Sequence, residues 1–495
     1  RCTLRQVSKS STRALGEFIY ASMKRGTILK SNLIKLEQVS KLDIQEVWNL
    51  YRDHINPYQV ELLGSFRPGR ELVSFSEGCY IHLVDGRKIL DLTGGIGVLN
   101  HGHNHPRILK ARREFAERKA MEVHKSYLSP YVAALAHNIS CLLPGDLNVS
   151  YFPNSGAESV EGALKLAFKA AEGKRSKVLH ADISFHGKLW ASGAITGSIE
   201  NHYKFPSPVQ SRVFEYNNIQ SLRNAILESQ VLGGESDIFA LVVEPMNASS
   251  MTIASKEFLL ECRKLCDYYG IFLIFDEVYT GWGKTGYLFN FMRVDGLVPD
   301  VLCYAKSLGG GKASIAGYTT RTEVALKAYG SLRDATLHST TYFGFGEEAI
   351  TAIESINVLM EEKLVENSFR IGSLFETKMQ SLIPSLENRF TVIGSGALWG
   401  ITPKEKWLIK LAQIAGSLLG FSNGDPRFGA KVFGGALVSA LYNRHGILSY
   451  IGFNRSNPLV ISFPLVAGGE EIDAAVKALA DILTESPLKL LTEFI

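Results

Sequence analysis

Apolar positions along the chain repeat in two ways. Short apolar runs, Val178 to Ala181, Ile238 to Val243, Ile271 to Phe275 and Val301 to Tyr304, predict strands buried on both faces, since a strand that meets no water loses its alternation. Between them apolar residues return at helical spacing. Val160, Leu164, Ala167, Phe168 and Ala171 mark one helix, and Ile350, Ile353, Ile356, Leu359 and Met360 mark a long one over Glu347 to Lys363. From Phe75 to Leu92 the pattern shifts to short strands around Val84-Asp85-Gly86-Arg87, where Asp-Gly predicts a hairpin. Earlier still, Leu33, Ile34, Leu36, Val39, Leu42, Ile44, Val47 and Leu50 make Leu33 to Tyr51 helix-compatible. We read residues 1–65 as an N-terminal helical extension, a packing arm without chemistry.

The chemistry lies where the apolar runs stop. Val301 to Tyr304 leads into Ala305-Lys306-Ser307-Leu308 and then Gly309, Gly310 and Gly311, which puts an amine just past the carboxyl end of a buried strand, where open α/β sheets hold their ligands. The glycines let backbone amides approach a ligand closely. Alone, such a lysine reads as a solvated turn residue. The run Ile271 to Phe275, however, ends in Asp276-Glu277, and carboxylates at a buried strand exit need a partner. An amine able to form a Schiff base, with an aspartate to hold a pyridinium, is the pair that pyridoxal 5'-phosphate (PLP) needs to act as an electron sink.

Composition narrows the setting. The chain has 495 residues, 46% hydrophobic and 21% charged, with 53 basic and 49 acidic side chains. That balance points to an ordinary globular protein and away from nucleic acid or an anionic membrane as partner. The 6 cysteines lack metal-type pairing and read as reduced thiols, with Cys262 and Cys266 on a packed helix face. Without a signal peptide or a membrane-length apolar run, the expected location is cytoplasmic. His101, His103 and His105 alternate, but no carboxylate or cysteine stands beside them at ligand spacing, so no metal is expected. Gly281-Trp282-Gly283-Lys284-Thr285-Gly286 fits a dinucleotide fingerprint in letters only. The following residues do not read as a helix, and no acid stands about twenty residues on.

The segments Asp276-Glu277-Val278-Tyr279-Thr280-Gly281-Trp282-Gly283-Lys284-Thr285-Gly286 and Ala305 to Gly311 resemble the signature of class III aminotransferases, the ornithine and ω-amino acid group of fold type I PLP-dependent enzymes. The resemblance runs from roughly Phe75 to Met360 and more weakly beyond. It implies an α/β fold in which a large domain with a mostly parallel central sheet flanked by helices (111–360) is joined by a smaller α+β domain (66–110 and 361–495). A stretch at about 403–433 looks inserted, and an added helix is the simplest reading.

By the same resemblance, Lys306 and Asp276 are the catalytic pair, and Ser155, Gly156 and Ala157 hold the cofactor phosphate. Phe185 stacks on the pyridine face, with His186, Glu244, Val278 and Tyr279 around the ring. Thr341 reaches the phosphate of the neighbouring subunit, which makes the protein a homodimer. Tyr279 stands where the family usually has a glutamine, and its hydroxyl is expected near the cofactor's phenolic oxygen.

The resemblance also implies a two-stage ping-pong transfer between an amine donor and a carbonyl acceptor. Ornithine-type relatives use a glutamate soon after Glu-Pro and an arginine near the C-terminus, yet Met246 to Ser250 and Leu459 to Leu465 contain neither, and Arg455 is only a neighbour. An apolar aldehyde, ketone or amine is therefore the expected substrate. An aminomutase or decarboxylase on the same fold, or a non-catalytic scaffold, are the alternatives.

Overall fold

In a computed structural model, which describes residues 33–123, 126–197, 207–231, 234–386, 389–404, 426–454 and 457–494, the apolar runs pair into one seven-stranded sheet. Its strands are β1 (Leu147–Tyr151), β2 (Lys177–Ala181), β3 (Gln210–Phe214), β4 (Ile238–Val243), β5 (Phe272–Asp276), β6 (Val301–Tyr304) and β7 (Gly317–Arg321), in the order β1-β7-β6-β5-β4-β2-β3. Only β7 runs against its neighbours; the remaining pairs are parallel. The carboxyl ends of six strands therefore lie along one edge. Every residue of β4 is buried, as an unbroken apolar run requires. The predicted run 271–275 is shifted by one, so that Asp276 closes β5.

Helices cover the sheet. Helix Gly156–Ala170 buries Val160, Ala163, Leu164 and Ala167 in a core cluster with Ala240, Val242, Ile274 and Val301. Helix Gly346–Glu361 stands where 347–363 was expected. Cys262 and Cys266 are fully buried on helix Lys256–Tyr269. No helix among the described residues is long and apolar enough to cross a membrane.

The predicted hairpin forms from Tyr80–Leu83 and Lys88–Asp91. Ile447–Leu448 adds to it in parallel, so early and late parts of the chain share one small sheet. A second small sheet contains Phe390–Ser395, Leu398–Pro403, Leu459–Ser462 and Tyr450–Ile451. Of the expected insertion, 405–425 lies outside the described residues, and its end forms the start of helix Pro426–His445.

The chain divides into two compact units, Arg1–Leu72 and Val73–Ile495. In the first, the helix expected over 33–51 is broken into Leu36–Val39 and Ile44–His54. Asp43 is the reason: its carboxylate caps Glu46 N, and the Glu46 side chain returns to Asp43 N, a capping box that starts a new helix.

Candidate active site

Five strand exits converge on the carboxyl edge of the sheet, the place where such sheets hold ligands. Ser155 follows β1, Phe185 and His186 follow β2, Glu244 follows β4, Asp276 ends β5 and Lys306 follows β6. His186, Asp276 and Glu244 are buried, whereas Phe185, Val278, Tyr279 and Lys306 are half-exposed. The acidic and imidazole groups are thus sealed in protein, with the lysine and two aromatic rings open beside them.

Hydrogen bonds fix the buried groups. His186 Nδ1 lies 2.8 Å from one Asp276 oxygen, and Val278 N donates to the other at 3.0 Å. Glu244 Oε2 accepts from Phe185 N at 2.9 Å and from Asn247 Nδ2 at 2.7 Å. Burial pushes the Glu244 carboxyl up to about 7, helped by the nearby Asp276 charge and opposed by His186. For His186 burial disfavours the cation, but the hydrogen bond and charge of Asp276 outweigh it and raise the imidazole's pKa.

Burial lowers the Lys306 amine to about 8, against the pull of Asp276 and Glu244. Its backbone sits at φ 48°, a left-handed conformation that a lysine adopts only when its surroundings impose it. Among the described residues, the amine's near neighbour is the face of the Tyr279 ring, 4.3 Å from Nζ.

An anion site adjoins these groups. Ser155 caps helix Gly156–Ala170 by accepting from Glu158 N, which leaves the first-turn amides of Gly156 and Ala157 without an acceptor among the described residues. Free amides at a fifteen-residue helix's positive end attract phosphate. Gly156 must be glycine here, because a Cβ would come within 2.6 Å of Val278.

Three expectations need correction. Gly310 and Gly311 do not open room for a ligand: with positive φ, a Cβ on them would meet Ile108 and Leu99 at 2.5 and 2.6 Å. Glu277 does not share a partner with Asp276. Successive strand residues face opposite ways, and Glu277 accepts from Asn290 N, Phe291 N and Thr280 Oγ1, anchoring the turn that carries the false dinucleotide fingerprint. The Tyr279 hydroxyl is taken by Tyr450, 2.5 Å away. The three alternating histidines separate, His101 to Ser355, His103 to Asp91 and His105 to Glu362.

Thr341 lies apart on an exposed turn, and Arg455 lies outside the described residues. The sequence reading missed Asn247 and Tyr450. For Asn247 the signal was its place three residues past Glu244; for Tyr450 there was none, because its partner is 171 positions away.

The sequence model of the aminotransferase class-III family matches residues 69–483, well beyond the Phe75 to Met360 span of the motifs. The chain belongs to the class III aminotransferases. Solved structures of similar fold include an (S)-enantioselective ω-transaminase from Thermomicrobium roseum, with 23% identity, TM-score 0.76 and coverage of 92% of this chain and 99% of that one. A transaminase from a marine Virgibacillus has 24% identity and TM-score 0.73 over 86% and 94% of the two chains. An ornithine aminotransferase from Toxoplasma gondii has 20% identity and TM-score 0.74 over 94% and 98%.

Membership of the class III aminotransferases makes the protein a fold type I, PLP-dependent enzyme that transfers amino groups. The residues present suit that cofactor: an amine kept close to neutrality, a buried carboxylate with lone pairs to spare, free helix amides for a phosphate, and a buried His186 Nε2 without a partner.

Proposed function

We propose that Lys306 is the amine that carries PLP and later moves a proton at the substrate carbon, with Asp276 holding the pyridine nitrogen in its protonated form. PLP supplies an electron sink for the bond broken at that carbon. The chain's own residues supply the rest. Burial keeps a large share of Lys306 neutral near pH 8, the state that can attack a carbonyl or accept a proton. Asp276 is oriented for its task by His186 and Val278 N. Glu244, tethered by Phe185 N and Asn247, would flank the cofactor, and the half-buried Phe185 would pack against it. The Gly156 and Ala157 amides with Ser155 hold the phosphate. The observation that carries this reading is the arrival of Lys306, Asp276, His186 and Glu244 at one sheet edge from three strand ends and one loop.

The substrate we infer is an apolar amine and the matching aldehyde or ketone. The acidic side chains that act on Lys306 are Asp276 and Glu244, and neither offers a cation to pair with an acidic substrate group. The two segments that lack the ornithine-type glutamate and arginine supply apolar packing instead: their Met246, Ala248 and Val460 cluster with Met251, Leu398, Tyr279 and Tyr450.

We further read the enzyme as a cytoplasmic homodimer. Exposed Thr341 reaches the neighbour's phosphate site in this reading, and the exposed apolar side chains Leu337 and Tyr342 flank it. Residues 66–110 and 361–495 form the smaller domain and 111–360 the larger.

Visible spectra of the PLP-loaded protein, recorded as single amine donors are added, test the substrate. Apolar amines are expected to bleach the yellow band. Ornithine turnover equal to that of long aldehydes and their amines would sink the apolar assignment.

A further inference from the structure

Tyr279 is held at both ends. Its ring packs against the Lys306 amine and against Gly97, where a Cβ would come within 3.0 Å of the ring. Its hydroxyl meets the Tyr450 hydroxyl at 2.5 Å. Tyr450 begins a short strand of the second small sheet and pairs there with Val460, so this hydrogen bond helps to tie that sheet to the ring beside the candidate catalytic amine. Both tyrosines are half-exposed at the open side of the site and rest on the same apolar cluster. Lys306 has no hydrogen-bond acceptor among the described residues, so the ring face is what defines where its amine rests.

From this geometry we infer that Tyr450 is a positioning residue that acts through Tyr279: its hydroxyl clamps the Tyr279 ring against the Lys306 amine and so sets the place of that amine for transfer. The inference rests on the assignment of PLP to Lys306. The groups that face the amine are Asp276 and Glu244 by their charge and Tyr279 by its ring. An aromatic face favours the positively charged form of the nitrogen it covers, so loosening the ring removes that preference.

Tyr450→Phe and Tyr279→Phe keep both rings and remove the bond, which makes them mild tests of folding. In the PLP-loaded protein each is expected to lower the midpoint of the pH titration of the visible band, and to lower kcat about tenfold with KM for the amine donor unchanged. The double variant is expected to match either single one, since both delete the same bond. An unmoved midpoint, or additive losses in the double variant, overturns the clamp. A wild-type protein that shows no visible band with PLP overturns the assignment to Lys306 instead, so the two failures are told apart.

Discussion

Two lysines of the family signature show what separates a structural amine from the one we assign to the cofactor. Lys284 and Lys306 both lie in the family signature, and burial depresses both, Lys284 to about 7 and Lys306 to about 8. Desolvation is therefore not the distinction. Lys284 is fully buried and donates to Phe463 O at 2.9 Å, inside the protein. Lys306 is half-exposed, has a ring face in place of an acceptor, sits at a left-handed φ and faces two carboxylates. A low pKa becomes chemistry only where the amine has nowhere else to bond and a ligand can reach it.

The strongest way to break that contrast is to exchange the lysines' fates. Lys306→Ala is expected to abolish the covalent visible band and reduce transamination by about 10⁴-fold, whereas Lys284→Met is expected to keep the band. Absorbance and donor turnover on the two purified variants settle it. Asp276→Asn comes next in size. Loss of the carboxylate that we assign to the pyridine nitrogen is expected to lower kcat on the order of 100-fold while PLP still binds, read from turnover at saturating donor.

Lys284 sharpens the comparison through stability. Its amine binds a proton less readily when folded than when unfolded, so between about pH 7 and its ordinary pKa near 10.5 the unfolded chain holds more protons. Its contribution to stability therefore rises with pH across that window. It is flat, at its unfavourable extreme, below pH 7. Denaturant melts of wild type and Lys284→Met at pH 6 and pH 10 are expected to differ in the variant's favour at the lower pH by a few kcal/mol relative to the higher. An equal gap at both would mean that the folded amine binds its proton as readily as the unfolded one, and that burial does not depress it. The smallest effect belongs to the phosphate helix: Ser155→Ala removes the cap on Glu158 N and is expected to cost about 1 kcal/mol of stability, with weaker PLP retention on dialysis.

Lys306, Asp276 and Glu244 were legible because polar residues that stop a fully apolar run must sit at a strand exit. The helix start at Gly156 was legible too, through Asn154-Ser155-Gly156 before an apolar face. Glu277 was misjudged because adjacency in sequence was taken for adjacency in space, although strand alternation sends neighbouring carboxylates to opposite sides. The break before Ile44 was also written in the chain, as Asp43 and Glu46 at capping-box spacing, but the apolar period of the stretch hid it. Tyr450 could not be read at all. Its role depends on a strand of a separate sheet meeting Tyr279 across the fold, and no local pattern encodes such a meeting.

Borohydride reduction of the PLP-loaded protein followed by peptide mapping tests the central claim most directly. The account predicts the cofactor's mass on the peptide that contains Lys306 and on no other. The same mass on the peptide containing Lys284, or on a surface lysine, would contradict it.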